Sequence, residues 1–359
     1  MIIFQLIQKP QKRGAEIFAA QLSEKLQALG HQVILISLFE GESDLPFSGQ
    51  IIHLNRPLSK RWFDFAGWKE FAELVKKYKP EIVQCNAGDT LKFAVLSKQF
   101  FGWRSLVVAR NASTVSSYIK SNVTKRINQF LYSKADAIIS VSEHSKTDLN
   151  RLFPTTKDKT VVIPIGVESQ PIQEVHWKSG DQVSVNVIHV GGFTFEKNHI
   201  GLLNIWEQFL KKQPKANLHL FGDGSLKKEI HELVKNRGLE SSVLFYGWVT
   251  HPMDYIAKAD VLVLPSIIEG LPGVLLEAMF CKTAVVAYNV GGISEIVKAG
   301  ETGFLIEKGN EIGFVEAINA ALLEKNQEKI KNAFTFANEN FDNHQIALRF
   351  ESEYKKLKE

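Results

Sequence analysis

The stretch VLVLPSIIEGLPGVLLEAMF, residues 261–280, sets two carboxylates, Glu269 and Glu277, around a short run of apolar residues and glycine. VLVLP reads as a buried strand and its stop. The segment from Pro272 to about residue 280 reads as a helix, with Pro272 in the first turn, where its missing N–H is harmless. A strand feeding a helix through a glycine-rich turn is a building block of parallel sheets, and in such sheets ligands bind beyond the carboxyl ends of the strands. The first free amides of the helix, at Gly273, Val274 and Leu275, form an anion site carrying roughly half a positive charge. Glu269 then lies on the loop before that site. Glu277 lies about one turn into the helix, with its side chain directed back toward the N-terminus. An ionised carboxylate accepts hydrogen bonds from two vicinal hydroxyls. Two carboxylates flanking a phosphate site suit a molecule with hydroxyls on both sides of a diphosphate, and a nucleotide-sugar is such a molecule. An exposed helix glutamate beside a dipole partner is the plainer reading of an isolated pair, and the surrounding glycines disfavour it.

Working outward, similar turns follow the neighbouring strand-like runs. VNVIHV (185–190) is followed by GGFTFEKNH, LHLF by GDGS, VLFY by GW, and TAVVAY by NVGGISE. Glycines recurring at one edge of one sheet mark places where backbone approaches a ligand closely. Lys197, shortly after a strand and beside Gly191 and Gly192, is a point charge suited to a leaving diphosphate. The first half alternates in the same way. IIFQLI is a strand, 14–29 has helical periodicity, VILISL is a strand, and apolar runs at 50–54, 81–85, 105–109, 137–141 and 160–164 continue the series. Residues 164–182 are polar, hold two prolines and lack a period, so they read as an interdomain linker. The expected organisation is one Rossmann-like domain over 1–165 and a second over 166–341. A last helix at about 342–357 has no strand after it, and residues 342–359 are expected to pack back on the first domain.

Two domains fit 359 residues at roughly 150 residues each. Apolar content of 45% and charged content of 23% are those of an ordinary soluble protein. Cys85 and Cys281 sit in apolar or small-residue surroundings and read as buried free thiols of a reducing cytoplasm. MIIFQLIQKP lacks the features of a signal peptide, and no apolar run approaches the ~20 residues of a membrane span. No DxD occurs and the histidines show no ligand spacing, so no metal and no cofactor are expected; His144 and His199 read as structural or helix-start residues. The NAS at 111 and the NVT at 122 are sequons in form only. The net charge of +4 divides unevenly, with 23 Lys and Arg against 14 Asp and Glu in residues 1–165. A basic first half suggests an anionic partner. Lys60 to Lys69 and Phe100 to Arg104 mix cations with aromatics. Such stretches suit either a membrane headgroup interface or helices with aromatics packed inward.

From SVSEHSK (140–146) through VVIPIGVE, HVGGFTFEKNH, LFGDG, FYGWV and PSIIEGLPGVLLEAMF to GGISEIV (291–297), the chain resembles the retaining glycosyl transferases of group 1. These have the GT-B fold, two Rossmann-like parallel-sheet domains facing across a cleft. The likeness covers nearly all of 130–310, and the E-x7-E element is Glu269 and Glu277. The first half matches only through GAE at 14–16 and its alternation. The resemblance implies a metal-independent, cytoplasmic hexosyltransferase, placed at the inner face of the membrane, that moves a sugar from a nucleotide diphosphate to a hydroxyl acceptor, with envelope or exopolysaccharide glycans as the products. It implies a nucleotide-sugar donor, a glycan or lipid-linked acceptor, and no nucleic acid. By resemblance, Glu277 binds the ribose, Glu269 faces the donor sugar, Lys197 binds the diphosphate, Tyr246 and Gly247 border the base, and Gly14 closes over the phosphates. The turns at Gly191, Gly192, Gly222 and Gly270 to Leu275, including Leu271 and Pro272, would line the donor.

The chain also departs from the family pattern. Gly192 stands where the family usually has the arginine that shares the diphosphate, and Arg13 or Arg110 is the expected substitute. Arg110 and Asn111 stand where a histidine is common, and Gln84 and Asn86 replace a histidine pair. Asn86, Arg110 and Asn111 are therefore the acceptor-side candidates, with Arg110 also placed in the catalytic set beside Glu269 and Lys197. Two rival readings remain: a nucleotide-sugar epimerase or hydrolase of the same architecture, and a non-catalytic two-lobed sugar-nucleotide binding protein.

Overall fold

The computed structural model describes residues 1–11, 13–41, 43–168, 170–178, 185–323 and 326–359. They form two compact units, Met1–Gly166 with Asn343–Glu359, and Val167–Asp342.

In the first unit the order is β1 (Ile2–Ile7), α1 (Gly14–Ala28), β2 (Gln32–Phe39), β3 (Gln50–Arg56), α2 (Phe65–Tyr78), β4 (Ile82–Cys85), α3 (Gly88–Phe101), β5 (Leu106–Asn111), α4 (Asn122–Ser133), β6 (Ala137–Ser140), α5 (Glu143–Leu152) and β7 (Thr160–Val162). The strands form one sheet in the order β3-β2-β1-β4-β5-β6-β7, and every pairing in it is parallel. Alternation along β1 shows why both faces are covered. Phe4 and Leu6 pack with residues of α2, α3 and α4, whereas Ile3 and Ile7 pack with α1 and the C-terminal segment. Period-two side chains on a doubly apolar strand require a layer on each side.

The second unit runs β8 (Val185–Val190), α6 (His199–Leu210), β9 (Ala216–Phe221), α7 (Lys227–Asn236), β10 (Val243–Gly247), α8 (Pro252–Lys258), β11 (Val261–Leu264), α9 (Gly273–Phe280), β12 (Ala284–Tyr288), α10 (Ile293–Ile296), β13 (Phe304–Ile306), α11 (Glu311–Ala321) and α12 (Gln327–Phe341). Its sheet order is β10-β9-β8-β11-β12-β13, again parallel throughout. The order reverses at β8. In open parallel sheets ligands gather at the carboxyl end of such a switch point.

The last helix, α13 (Asn343–Lys356), belongs to the first unit. Phe350 lies 5.9 Å from the Phe18 ring of α1, and the Tyr354 hydroxyl donates to Gln84 Oε1 in the buried interior.

Part of the segment read as a linker is instead fastened to the second unit. Trp177 stacks on His219 at 4.0 Å, Lys178 N–H donates to the Tyr246 hydroxyl at 2.9 Å, and Gln173 N–H donates to Asp254 at 2.9 Å. The aromatic stack anchors a stretch whose polar composition gives no period. Positions 169 and 179–182 of that linker reading lie outside the described residues. Both cysteines are free, but Cys281 is only half-buried, because it sits just past the end of α9. No helix among the described residues is long and apolar enough to cross a membrane.

Candidate functional site

The turns at the carboxyl edge of the second sheet are stitched together by backbone hydrogen bonds in strand order. Beyond β10 and β9, Gly222 N–H donates to Gly247 O at 2.7 Å. From the turn after β8, Gly191 N–H donates to Phe221 O and Phe193 N–H to Asp223 O, both at 3.0 Å. From the loop after β11, Ile267 N–H donates to Glu196 O at 2.8 Å. From the turn after β12, Gly292 N–H donates to Gly270 O at 2.8 Å. Five turns thus form one continuous ledge.

Glycine is demanded where these turns touch. Gly222 has φ +129°, and a Cβ there would lie 2.1 Å from Gly191 O. Gly291 has φ +58°, and its Cβ would lie 2.0 Å from Glu269 O. Both positions combine a left-handed backbone with contact against main chain that cannot yield. Gly291→Ala should therefore displace the Glu269 loop. The expected result is a folded protein with a lowered melting temperature and weakened nucleoside diphosphate binding. Gly14→Ala, where a Cβ meets nothing within 4 Å, should leave the melting temperature unchanged. Thermal melts and calorimetric titration of the two variants check both halves.

Glu269 and Lys197 meet on the ledge, with Lys197 Nζ 2.6 Å from Glu269 Oε1 and side-chain exposures of 22% and 10%. Lys197 ends a short 3₁₀ turn, Phe195–Lys197. Asn198 then takes a left-handed conformation, caps α6 through Gly201 N–H, and donates to Pro265 O at 3.1 Å. Asparagine tolerates that conformation and supplies the capping oxygen as well.

Pro272 is the N-cap of α9 rather than a residue of its first turn. Its carbonyl accepts from Leu275 N–H at 3.2 Å. Leu275 is thereby removed from the expected set of free amides, leaving those of Gly273 and Val274 at the positive end of the helix. Glu277 is half-buried one turn on. Desolvation pushes its carboxyl up to about 7, and no hydrogen bond within the described residues reaches it. A carboxylate held in that state is an unused acceptor beside an anion site.

Two further groups lie at this edge. The Tyr246 ring stacks on Phe221 at 4.3 Å, which fixes the backbone of Tyr246 and Gly247 at the rim. Lys227, the first residue of α7, pairs with Asp223 at 2.9 Å, and its Nζ lies 3.9 Å from the Cβ position of Gly247. Sequence reasoning passed over Lys227, although the lysine pair after the GDGS turn was its signal. His189 and His199 are buried beneath the ledge. Burial lowers His189 to about 4 and His199 to about 2, so both are neutral at pH 7 and add no charge to it. Gly192 has ordinary backbone, and a Cβ there would meet Asp223 O at 3.4 Å, so the missing arginine side chain is not excluded by space at its root.

In the first unit the expected residues also stand at strand ends, but they are buried. Asn86 donates to Gln5 Oε1 at 2.9 Å and to Leu6 O at 3.2 Å. Asn111 donates to Ser140 Oγ at 3.2 Å and to Ser145 O at 3.1 Å. Their amide nitrogens therefore tie strands and turns of the unit together, a structural duty that the acceptor-side reading did not foresee. Arg110 is 5% exposed, with its guanidinium 4.2 Å from the Phe18 ring centroid. Desolvation lowers it to about 10, and its Nη1 has no hydrogen-bond partner. It is a sequestered cation rather than an ordinary surface arginine.

Two family models divide the chain between them. One, described as glycosyl transferases group 1, matches residues 173–335. The other, glycosyltransferase family 4, matches residues 12–170. Among curated proteins, the chain is 28% identical over 251 residues to the N-acetylgalactosamine-N,N'-diacetylbacillosaminyl-diphospho-undecaprenol 4-alpha-N-acetylgalactosaminyltransferase of Campylobacter jejuni, covering 67% of this chain and 66% of that protein. It is 26% identical to the N-acetyl-alpha-D-glucosaminyl L-malate synthase of Bacillus anthracis, over 96% of this chain and 94% of the relative. Among solved structures, HepE of Anabaena in complex with UDP and glucose superposes with a TM-score of 0.83 at 20% identity, covering 99% of each chain. Sucrose-phosphate synthase of Thermosynechococcus elongatus gives 0.84 at 22% identity, covering 99% of this chain and 98% of that one. At such identities these structures establish the shared fold, which is GT-B.

Proposed function

Since the chain belongs to the glycosyl transferases of group 1, we propose that it moves a sugar from a nucleotide-diphosphate donor to a hydroxyl acceptor, without a metal and with retention of the anomeric configuration. The observation that carries this reading is the stitched ledge of glycine turns, which brings Lys197, Glu269, the amides of Gly273 and Val274, and the unpartnered Glu277 carboxylate to one sheet edge. Structures of HepE with UDP and with UDP-glucose support a nucleotide-sugar as the donor. Relatives named for glycan synthesis, the amylovoran glycosyltransferase of Erwinia amylovora among them, support an envelope or exopolysaccharide product.

On this reading Glu277 accepts hydrogen bonds from the ribose hydroxyls. Tyr246 and Gly247 border the base, and the diphosphate lies on the α9 amides. Lys197 meets the diphosphate by exchanging its ion pair with Glu269 for one with phosphate oxygens. Glu269, released, accepts hydrogen bonds from hydroxyls of the donor sugar. In the transfer, the bond from the anomeric carbon to the diphosphate oxygen breaks. The acceptor hydroxyl oxygen bonds to that carbon on the same face, and its proton passes to the leaving diphosphate. Lys197 and the helix amides stabilise the charge that develops there. Lys227 is the second cation available within this unit.

The test is a panel of nucleotide-sugars incubated with the protein, with and without hydroxyl acceptors. Diphosphate release that depends on acceptor, with a new glycosidic bond of unchanged anomeric configuration by NMR, is the expected result. Donor conversion without acceptor would identify the epimerase or hydrolase reading, and tight binding without conversion the non-catalytic one.

A further inference from the structure

We propose that the outward face of α4 in the first unit is a docking surface for an anionic lipid bilayer. Helix α4 is anchored by Leu131 and Tyr132, both buried, and capped by Ser121, which accepts from Thr124 N–H at 3.1 Å. Val123, Ile127 and Phe130 fall at i, i+4 and i+7, on one stripe of the helix. Such a stripe normally seats against a core. Here the three residues are 68%, 39% and 43% exposed.

The charge around the stripe decides its partner. Between Asp89 and Asp136 the chain carries eight Lys or Arg and no Asp or Glu. Among the described residues, Lys120, Lys125, Arg126 and Lys134 have no carboxylate partner. Arg126 lies beside the stripe by helical spacing, and Lys134 closes its end, with Nζ 5.7 Å from the Phe130 ring centroid. An apolar stripe on a helix whose own charges are all cationic matches a headgroup layer. The apolar side chains enter the acyl boundary while the cations meet anionic lipid. A second copy of the chain would bring like charges together. In the aromatic stretches flagged in the sequence, Trp68 is buried and Phe101 and Trp103 pack against the core, whereas Trp62, Phe63, Phe65 and Phe100 are exposed.

The proposal rests on this surface alone and needs no donor, so its failure would leave the transfer reading untouched. The test is co-sedimentation of the full chain with phosphatidylglycerol-containing vesicles and with pure phosphatidylcholine vesicles at 0.1 M salt. The variants are Val123→Ser with Ile127→Ser and Phe130→Ser, and Arg126→Glu with Lys134→Glu. All five side chains are solvent-facing, so unchanged melting temperatures should confirm folding. If the triple variant fails to fold, Ile127→Ser alone serves in its place with a smaller loss. The wild type should bind the anionic vesicles and not the neutral ones. The triple variant should bind at least tenfold more weakly, and the charge variant should lose both binding and its salt dependence. The proposal is overturned if the wild type ignores anionic vesicles. It is equally overturned if the apolar variant binds as well as the wild type, which is simple polyanion adhesion, or if the stripe instead supports a concentration-dependent dimer.

Discussion

Replacing Glu277 by glutamine is expected to weaken nucleotide-sugar binding at least tenfold and, at pH 8, to raise the melting temperature of the unliganded protein. The two effects share one cause. Burial holds the Glu277 carboxyl at about 7, well above the ordinary carboxylate range. A carboxyl whose folded pKa exceeds its unfolded one binds the extra proton in the folded state. Stability therefore falls as pH rises from about 4.5 to about 7, and the loss is complete above that window. A difference of about 2.5 pH units corresponds to at most ~3 kcal/mol, or several degrees in melting temperature. Glutamine keeps the shape, carries no charge and escapes the penalty. It also loses the charged acceptor, and a hydrogen bond to a charged group is worth roughly 1.5–3 kcal/mol. Donor affinity in the wild type should accordingly increase as pH rises through 7, while that of Glu277→Gln should stay flat. Melting curves and calorimetric titrations between pH 5.5 and 8.5 measure both. A variant that binds donor as tightly as the wild type would remove the ribose role.

The second large effect concerns the ion pair. Lys197→Ala is expected to slow transfer by about 10²–10³, the range found when a stabiliser of developing negative charge is removed. It should weaken nucleoside diphosphate binding much more than nucleoside binding. It also removes the ion pair of Glu269, whose side chain is 10% exposed, so some loss of stability should accompany it. Glu269→Gln separates the contributions. With no carboxylate competing for Lys197, nucleoside diphosphate affinity should hold or rise, whereas transfer should still fall because the sugar hydroxyls lose their acceptor. Opposite signs for the two variants in diphosphate binding mark a pair that exchanges partners during the cycle. Equal losses for nucleoside and nucleoside diphosphate in Lys197→Ala would instead make the pair purely structural.

The strands were the most legible part of the sequence. VLVLP and TAVVAY match β11 and β12 to within one residue, because buried parallel strands are written as continuous apolar runs. The glycine turns were legible one at a time. Their stitching was not, because Ile267 and Glu196 become neighbours only once β8 and β11 pair. The ion pair was hidden for the same reason, its members being 72 residues apart. Burial of Arg110 runs against the usual exposure of arginine, and the Phe18 ring and the buried Glu16 carboxyl, both of α1, make sense of it. Residues 171–178 were misread as linker because aromatic anchoring by Trp177 leaves no periodic trace. At Pro272 the error was one position, within the ordinary uncertainty of a helix boundary, yet it decided which amides are free.

The most direct measurement is thermal stabilisation of the wild type, Glu277→Gln and Lys197→Ala by a panel of nucleotide-sugars covering the common bases. At least one donor should stabilise the wild type, by about 2.7 kcal/mol when present at about 100 times its dissociation constant, and the shift should shrink in both variants. A panel in which no nucleotide-sugar stabilises the protein, or in which one does so equally in all three proteins, would contradict a donor seated on the ledge of the second unit.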